Sequence, residues 1–174
     1  MRFVAFGLGL ISGGLAVGAV LWFAGALLAW IPGGILIACA IAIGTLALLK
    51  DLGWLEVRLP ENARQVPIDV MYRDPRITLV QFGFELGTGA RTFVTAAAPY
   101  SVAATVVALH PPIGQVAIAG AAFGAGRLCM ALMREVSRDA DAWDSAFAAR
   151  SRLVASLASL TALGVLAWLV AYSV

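Results

Sequence analysis

The chain has few charged residues and few of the residue types that carry catalysis. Of its 174 residues only 13% are Asp, Glu, Lys or Arg, and there are one histidine and two cysteines. Hydrophobic residues make up 61% of the chain, and the mean hydropathy is +0.92. This composition excludes a soluble globular domain and indicates an integral membrane protein, whose first partner is the lipid bilayer. The net charge of +2, with acids and bases mixed, gives no indication of nucleic-acid binding.

Metal ligands and nucleophiles are equally scarce. His110, the single histidine, precedes two prolines and has no second candidate ligand near it, so we interpret it as a turn residue. The sequence contains no zinc spacing, phosphate loop, dinucleotide fingerprint or nucleophile elbow. Three aspartates near residue 140 lack the glycine turn and terminal glutamate of a calcium loop. The sequence therefore predicts no enzyme, no metal and no cofactor.

The two cysteines, Cys39 and Cys129, are predicted to lie at different depths of the membrane. Helix rise places Cys39 about 9 Å below the outer end of its helix and Cys129 about 6 Å from the inner end of its own. A disulfide requires Cα atoms within about 7 Å of each other. We therefore expect two free cysteines that act as small buried hydrophobes.

Five apolar stretches organise the chain, and four of them have the length of a simple span across a ~30 Å core. These four cover residues 4–28, 33–49, 113–133 and 153–172. With five helices, every Lys and Arg of the connections falls on one face, which predicts a cytoplasmic N-terminus and an external C-terminus. We expect an all-α polytopic bundle in the cytoplasmic membrane, forming a single transmembrane domain over residues 1–174. Residues 50–76 and 134–152 are then cytoplasmic loops, the second with a short amphipathic helix.

The remaining stretch, residues 77–109, is too long for one simple span. A continuous helix of this length would extend for about 50 Å, well beyond the ~30 Å core. Either Gly87 to Gly89 or Pro99 must interrupt it, because Pro99 lacks a backbone donor and clashes with the preceding turn. We therefore predict a broken or re-entrant third helix, an arrangement from which many transporters build their sites.

Polar residues in this third stretch recur every three or four positions, so they follow one side of a helix. Among them is Glu85, and an ionised group at the centre of a membrane helix costs about 2.5 to 3.5 kcal/mol on insertion scales. Hydrocarbon offers such groups no hydrogen-bond partner, so this side is expected to face a cavity, a substrate path or another helix. The stripe consists of Thr78, Gln81, Glu85, Thr88, Thr92, Thr95 and Pro99.

Depth along the helices predicts that Glu85 meets Arg127. Glu85 lies about 12 Å and Arg127 about 9 Å from the cytoplasmic edge of their antiparallel helices. The pair is either a structural ion pair that fixes helix register or a proton or cation site at Glu85 modulated by Arg127. Arg91, about 21 Å deep, either snorkels, caps carbonyls freed at the helix break, or anchors an anion beside Thr92.

Two glycine-rich segments, residues 82–87 (FGFELG) and 122–127 (AFGAGR), resemble helix starts of the cytochrome c biogenesis and thiol-disulfide interchange family. That resemblance implies glycine-broken helices, built as two inverted three-helix halves, around a pair of membrane cysteines that carry reducing equivalents. The chain departs from the family, because Arg91, Thr92 and Phe93 stand where the second-half cysteine is expected. The first helix has no cysteine.

Three functions remain open on the sequence alone. The first is a transporter-like protein or transport subunit for a small ion or solute, with Glu85, Arg127 and Arg91 at its polar site. The second is a non-catalytic membrane subunit that assembles with a partner membrane or cytoplasmic protein through residues 50–76. The third is a transmembrane thiol redox carrier.

Overall fold

The computed structural model describes residues 2–57, 75–89 and 96–173, and within them it contains six helices. Apolar side chains dominate these helices, and the short connections between them contain the glycines and prolines that end helices. The helices are α1 (Arg2–Leu27), α2 (Gly33–Asp51), α3 (Pro75–Thr88), α4 (Ala98–Leu109), α5 (Ile113–Val136) and α6 (Ala140–Ser173).

Four of these helices, α1, α2, α5 and α6, are long and apolar enough to cross a membrane. They correspond to the four simple spans expected from the sequence, so that prediction is confirmed. Large apolar side chains on them point outward, among them Val20 and Ile118, which are 67% and 72% exposed. Such exposure fits a membrane-embedded protein, whose helices face lipid and not water. A fifth crossing, the type of membrane and the orientation of the termini stay predictions.

The third apolar stretch is interrupted, as expected. Helix α3 ends at Thr88, and Gly89 then adopts a left-handed backbone with φ of +68°, which glycine tolerates at little steric cost. Helix α4 begins at Ala98, and Pro99 occupies its first turn, where a missing N–H costs least. With 14 and 12 residues, α3 and α4 are about 21 Å and 18 Å long, so each is shorter than a simple span.

The chain divides into two compact units, each assembled from three separate segments. In the first unit, α1 up to Val20 packs between α3 and α5 through glycines on two of its sides. A β-carbon at Gly9 would clash with the backbone of α3, and one at Gly14 would clash with Gly120 of α5. The absence of side chains lets these backbones approach closely. Aromatic side chains also join α1 and α3, since the Phe6 and Phe82 rings stack at 5.9 Å.

In the second unit, α2, α4 and α6 meet through small side chains. The buried residues of α2 are Ala40, Gly44, Ala47 and Asp51, which recur on one helical face. At the far end of α4, the His110 ring stacks on Trp22 at 4.9 Å, and the Trp22 indole N–H donates to the Pro111 carbonyl at 3.2 Å. Within this unit, the stacking and the indole hydrogen bond therefore attach the C-terminal end of α4 to Trp22. The prediction of a single transmembrane domain over residues 1–174 stays a prediction.

The charged connections differ in part from their expected form. Residues 134–152 contain no separate amphipathic helix, because residues 140–152 are the beginning of α6, a continuous helix of 34 residues. No glycine or proline stands between Asp139 and the apolar part of α6, so nothing in the sequence ends the helix there. Asp139 caps its start by accepting from the Ala142 amide at 2.9 Å. Most of the loop predicted over residues 50–76, namely residues 58–74, lies outside the described residues.

Candidate functional site

Arg127, on α5, contacts the end of the short helix α3. Its guanidinium donates to the main-chain carbonyl of Leu86 at 2.5 Å and lies 5.6 Å from the centre of the Phe123 ring. The last four carbonyls of a helix have no partner within the helix, and Leu86 carries one of them. A positive charge at this end also complements the partial negative charge of the helix terminus. Arg127 therefore closes the C-terminus of α3.

Glu85 lies beside this contact. Its carboxylate accepts from the Gln81 side-chain amide at 3.4 Å, and its main-chain carbonyl accepts from the Thr88 hydroxyl at 2.8 Å. Arg127 thus reaches the backbone of the residue next to Glu85, on the helix that depth arithmetic indicated. The ion pair between Glu85 and Arg127 stays a prediction, as does a proton or cation site at Glu85.

The other predicted site residues fall into two groups. Arg91 and Thr92 lie outside the described residues. Among the others, Gln81 is exposed, Thr88 is half-buried, and Gly87 packs against the backbone of Leu10. Gly89 and Pro99 stand at the two sides of the interruption, where they end α3 and begin α4.

Asp51, the last residue of α2, was not singled out from the sequence, yet it is the one buried carboxylate among the described residues, with 5% of its surface exposed. Its carboxylate accepts a bond from the Ala97 amide, with N···O distances of 2.8 Å and 3.1 Å to the two oxygens. Ala97 is the N-cap of α4 and has no side-chain acceptor of its own. Asp51 supplies both the acceptor and the negative charge that a helix N-terminus favours.

One further helix, α6, and the neighbouring Lys50 also hold Asp51 in place. The Ser159 hydroxyl of α6 donates to the carboxylate at 2.6 Å, and the Ser156 hydroxyl donates to the Asp51 main-chain carbonyl at 2.9 Å. The Lys50 ammonium lies 3.5 Å from the carboxylate. The negative charge is therefore hydrogen-bonded to groups from α2, α4 and α6, as a buried charge requires.

Ser101 of α4 is different from the polar residues around it. It is completely buried, and its hydroxyl makes no hydrogen bond to the described residues. Gly44 of α2 is one of its neighbours, since the Ser101 oxygen lies 3.8 Å from the position of a β-carbon at Gly44. An unsatisfied buried hydroxyl is destabilising, so Ser101 contributes a polar atom to the core without a compensating bond.

The sequence offered one indirect signal for the Asp51 site. The start of α4 reads Ala97, Ala98, Pro99, which contains no residue able to cap it. An acceptor must therefore come from elsewhere in the chain, and Asp51 stands at the end of an apolar run. When Lys50 is assigned to the charged loop, the neighbouring Asp51 is assigned there too, and its role at the start of α4 is missed.

Little else in the described residues resembles a ligand site. They contain no cluster of three potential metal ligands. One shallow, open groove of about 420 Å³ lies on the surface of α3 alone, lined by the apolar side chains of Ile77, Val80 and Phe84 and by Gln81. Cys39 and Cys129 are free, as expected, but both are exposed, so the prediction that they are buried is wrong. A cysteine on a span can face lipid because the side chain is apolar enough for it.

The fold and the two closed helix ends define the class: a helical, membrane-embedded type of protein organised around an interrupted apolar segment. Over 129 residues the chain is 34% identical to the methylamine utilization protein MauF of Methylorubrum extorquens. The match covers 72% of this chain and 44% of MauF, so the chain matches less than half the length of that relative. No protein-family model and no solved structure matches the chain. The resemblance to the thiol-disulfide interchange family stays a prediction.

Proposed function

We propose that this chain is a non-catalytic membrane subunit that serves methylamine utilization by assembling with a partner protein in the cytoplasmic membrane. The similarity to MauF supports the process, because MauF is a methylamine utilization protein. The geometry supports the type of role. A subunit of this kind needs a fixed membrane scaffold and a surface for its partner.

The proposal depends on one observation: the buried Asp51 and the half-buried Arg127 both bond to main-chain groups at helix ends. Arg127 bonds to the end of α3, and Asp51 bonds to the start of α4. Asp51 gives the Ala97 amide an acceptor, and Arg127 adds a charged donor to the Leu86 carbonyl, which also accepts from the Gly89 amide at 3.1 Å. Each bond fixes one helix end within its own unit, and fixed helix ends are what a scaffold requires.

The partner surface proposed is the groove along α3. Its apolar side chains Ile77, Val80 and Phe84 are 63%, 39% and 40% exposed, and they surround the polar side chain of Gln81. An amide in an apolar membrane surface gains a hydrogen-bond partner when a second helix covers it. Residues 50–76 are proposed as a second, cytoplasmic contact with the partner.

The test compares two bulky substitutions in the native host. Gln81→Trp would fill the groove, whereas Ile118→Trp places the same side chain on an outward-facing position of α5. We expect the first variant to lose both growth on methylamine and the protein that copurifies from native membranes. The second should retain both. Equal growth and equal copurification for the two variants would contradict the proposal.

Transport of a small ion or solute is the second candidate, and the interruption between α3 and α4 favours it. Transporters place substrates and ions at the ends of discontinuous helices, as the carboxylate of Asp51 is placed at α4. In this candidate Glu85 and Arg127 coordinate or gate the solute, with Arg91 and Thr92 as anion-facing residues. Glu85→Gln in the purified, lipid-reconstituted protein would then alter flux. Unchanged flux with lost partner assembly would favour the subunit.

A further inference from the structure

The end of α2 and the start of the apolar part of α6 lie together at one level of the second unit. Helix α2 ends in a glycine motif, in which Gly53, with φ of +79°, and Trp54 donate to the Lys50 and Leu49 carbonyls at 2.9 Å and 3.0 Å. On α6, residue 152 is the last charged residue before the apolar run of residues 153–172. The Ser156 bond to Asp51 fixes the two helices at this level.

Arg152 lies flat against this helix end. A β-carbon at Gly53 would stand 3.4 Å from the guanidinium carbon and 3.6 Å from Nε, so the guanidinium packs over the glycine at ordinary contact distance. Arg152 is exposed, and no ion pair holds it among the described residues. The nearby Asp51 carboxylate is already bound by Ala97, Ser159 and Lys50.

Its surroundings are those of the membrane boundary. Trp54, directly after Gly53, is 77% exposed, and tryptophan rings favour the level of lipid headgroups. The Lys50 ammonium is at the same helix end, with 21% of its side chain exposed. The Asp51 carboxylate is buried, and the nearest acid along the chain beyond Trp54 is the exposed Glu56.

We propose that Arg152, held against Gly53 beside Trp54 and Lys50, binds the headgroup phosphate of an anionic phospholipid. The planar guanidinium presents paired N–H donors that match two phosphate oxygens. The apolar runs of α2 and α6 place the site where a lipid phosphate lies, which selects a membrane lipid as the source of that phosphate. The site is independent of the partner proposed at α3.

The experiment measures lipids retained by the full-length protein, purified with phosphatidylglycerol or phosphatidylcholine, by native mass spectrometry. Arg152→Gln is compared with Arg150→Gln, which removes the same charge from an exposed arginine that bonds its own helix at Ala146. We expect Arg152→Gln to lower phosphatidylglycerol retention about fivefold and leave phosphatidylcholine unchanged. Arg150→Gln should have a smaller effect.

Three results would overturn the proposal. Equal losses in the two variants would show general surface charge and no site. Displacement of phosphatidylglycerol by inorganic phosphate at millimolar concentration would show a site for free anions. Unchanged retention in Arg152→Gln would show that the guanidinium does not bind the lipid. Since the Gln variant could perturb folding, Arg152→Lys is measured as well, and it should retain an intermediate amount because it keeps the charge without the planar fork.

Discussion

The two units close the ends of an interrupted segment with opposite charges. In the first unit a cation, Arg127, bonds to a carbonyl at the C-terminus of α3. In the second unit an anion, Asp51, bonds to an amide at the N-terminus of α4. Each sign matches the partial charge that a helix end presents. A charged side chain in a membrane segment can therefore bond to a main-chain group at a helix end, and its partner need not be a second charged side chain.

The two closures differ in burial and in the number of their partners. The Asp51 side chain is 1% exposed and bonds to groups from three helices, whereas Arg127 is half-buried and donates to the Leu86 carbonyl of α3. Glycines bring the helices of the first unit together without help from Arg127. We therefore expect the second unit to depend more on its charge than the first unit does.

The largest effect should come from Asp51→Ala. The substitution leaves the Ala97 amide and the Ser159 hydroxyl without an acceptor, which should lower the free energy of unfolding by about 3 kcal/mol. Asp51→Asn keeps an acceptor for the amide and should lose roughly half as much. Reversible unfolding in mixed detergent micelles measures both. The control is Asp141→Ala, at an exposed position of α6, and equal losses at residues 51 and 141 would refute the buried role of Asp51.

The next effect tests whether glycine packing holds the first unit. At Gly124 a β-carbon would clash with the Leu10 backbone, whereas at Gly126, on the same helix, it would meet no atom within 4 Å. Gly124→Ala should therefore destabilise the protein by about 2 kcal/mol. Gly126→Ala should be neutral or stabilising by up to about 1 kcal/mol, because alanine favours helix. If thermal unfolding gives the same change for both, backbone contact between α1 and α5 is not what holds the unit.

A smaller effect is expected from Arg127→Gln. It removes a charged donor from the Leu86 carbonyl, which should cost about 1.5 kcal/mol. Arg127→Lys keeps the charge near the helix end and should recover part of the loss. The same unfolding assay measures both variants. A loss larger than that of Asp51→Ala would reverse the comparison between the two units.

The smallest effects separate two serines of the second unit. Both Ser159 and Ser101 are completely buried, but only the Ser159 hydroxyl is seen to bond, to Asp51. Ser159→Ala should destabilise the protein by about 1 kcal/mol, and Ser101→Ala should be neutral or slightly stabilising. Destabilisation by Ser101→Ala in the unfolding assay would mean that its hydroxyl has a partner, contrary to the structure.

The sequence predicted the elements that depend on local pattern. Span length and hydropathy located the four long helices, and Gly89 and Pro99 indicated the interruption. Depth along the helices also predicted that Arg127 lies at the level of Glu85 and Leu86. The expected partner of Arg127 was the Glu85 carboxylate, whereas its guanidinium donates to the Leu86 carbonyl. The Leu86 carbonyl is available to Arg127 because α3 ends there. A stripe of polar residues on a continuous helix does not predict that helix end.

The parts that could not be predicted depend on contacts distant in sequence. Ala97 is 46 residues from Asp51, and Ser159 is 108 residues from it, so no local pattern links them. The expected short helix over residues 134–152 failed for a different reason. Composition indicated helix correctly, but no residue marks a boundary between that segment and the last span.

The most direct test of the closed helix ends is hydrogen exchange at the Ala97 amide in the lipid-reconstituted protein. Asp51 accepts from this amide, and the closure of α4 by a buried charge depends on that bond. We predict that Asp51→Leu accelerates exchange in peptides covering residues 96–101 at least about tenfold, because each 1.4 kcal/mol of lost protection gives a factor of ten. The control variant Ser101→Ala should leave the exchange rate unchanged. Slow exchange that is the same in the wild type and in Asp51→Leu would contradict the account.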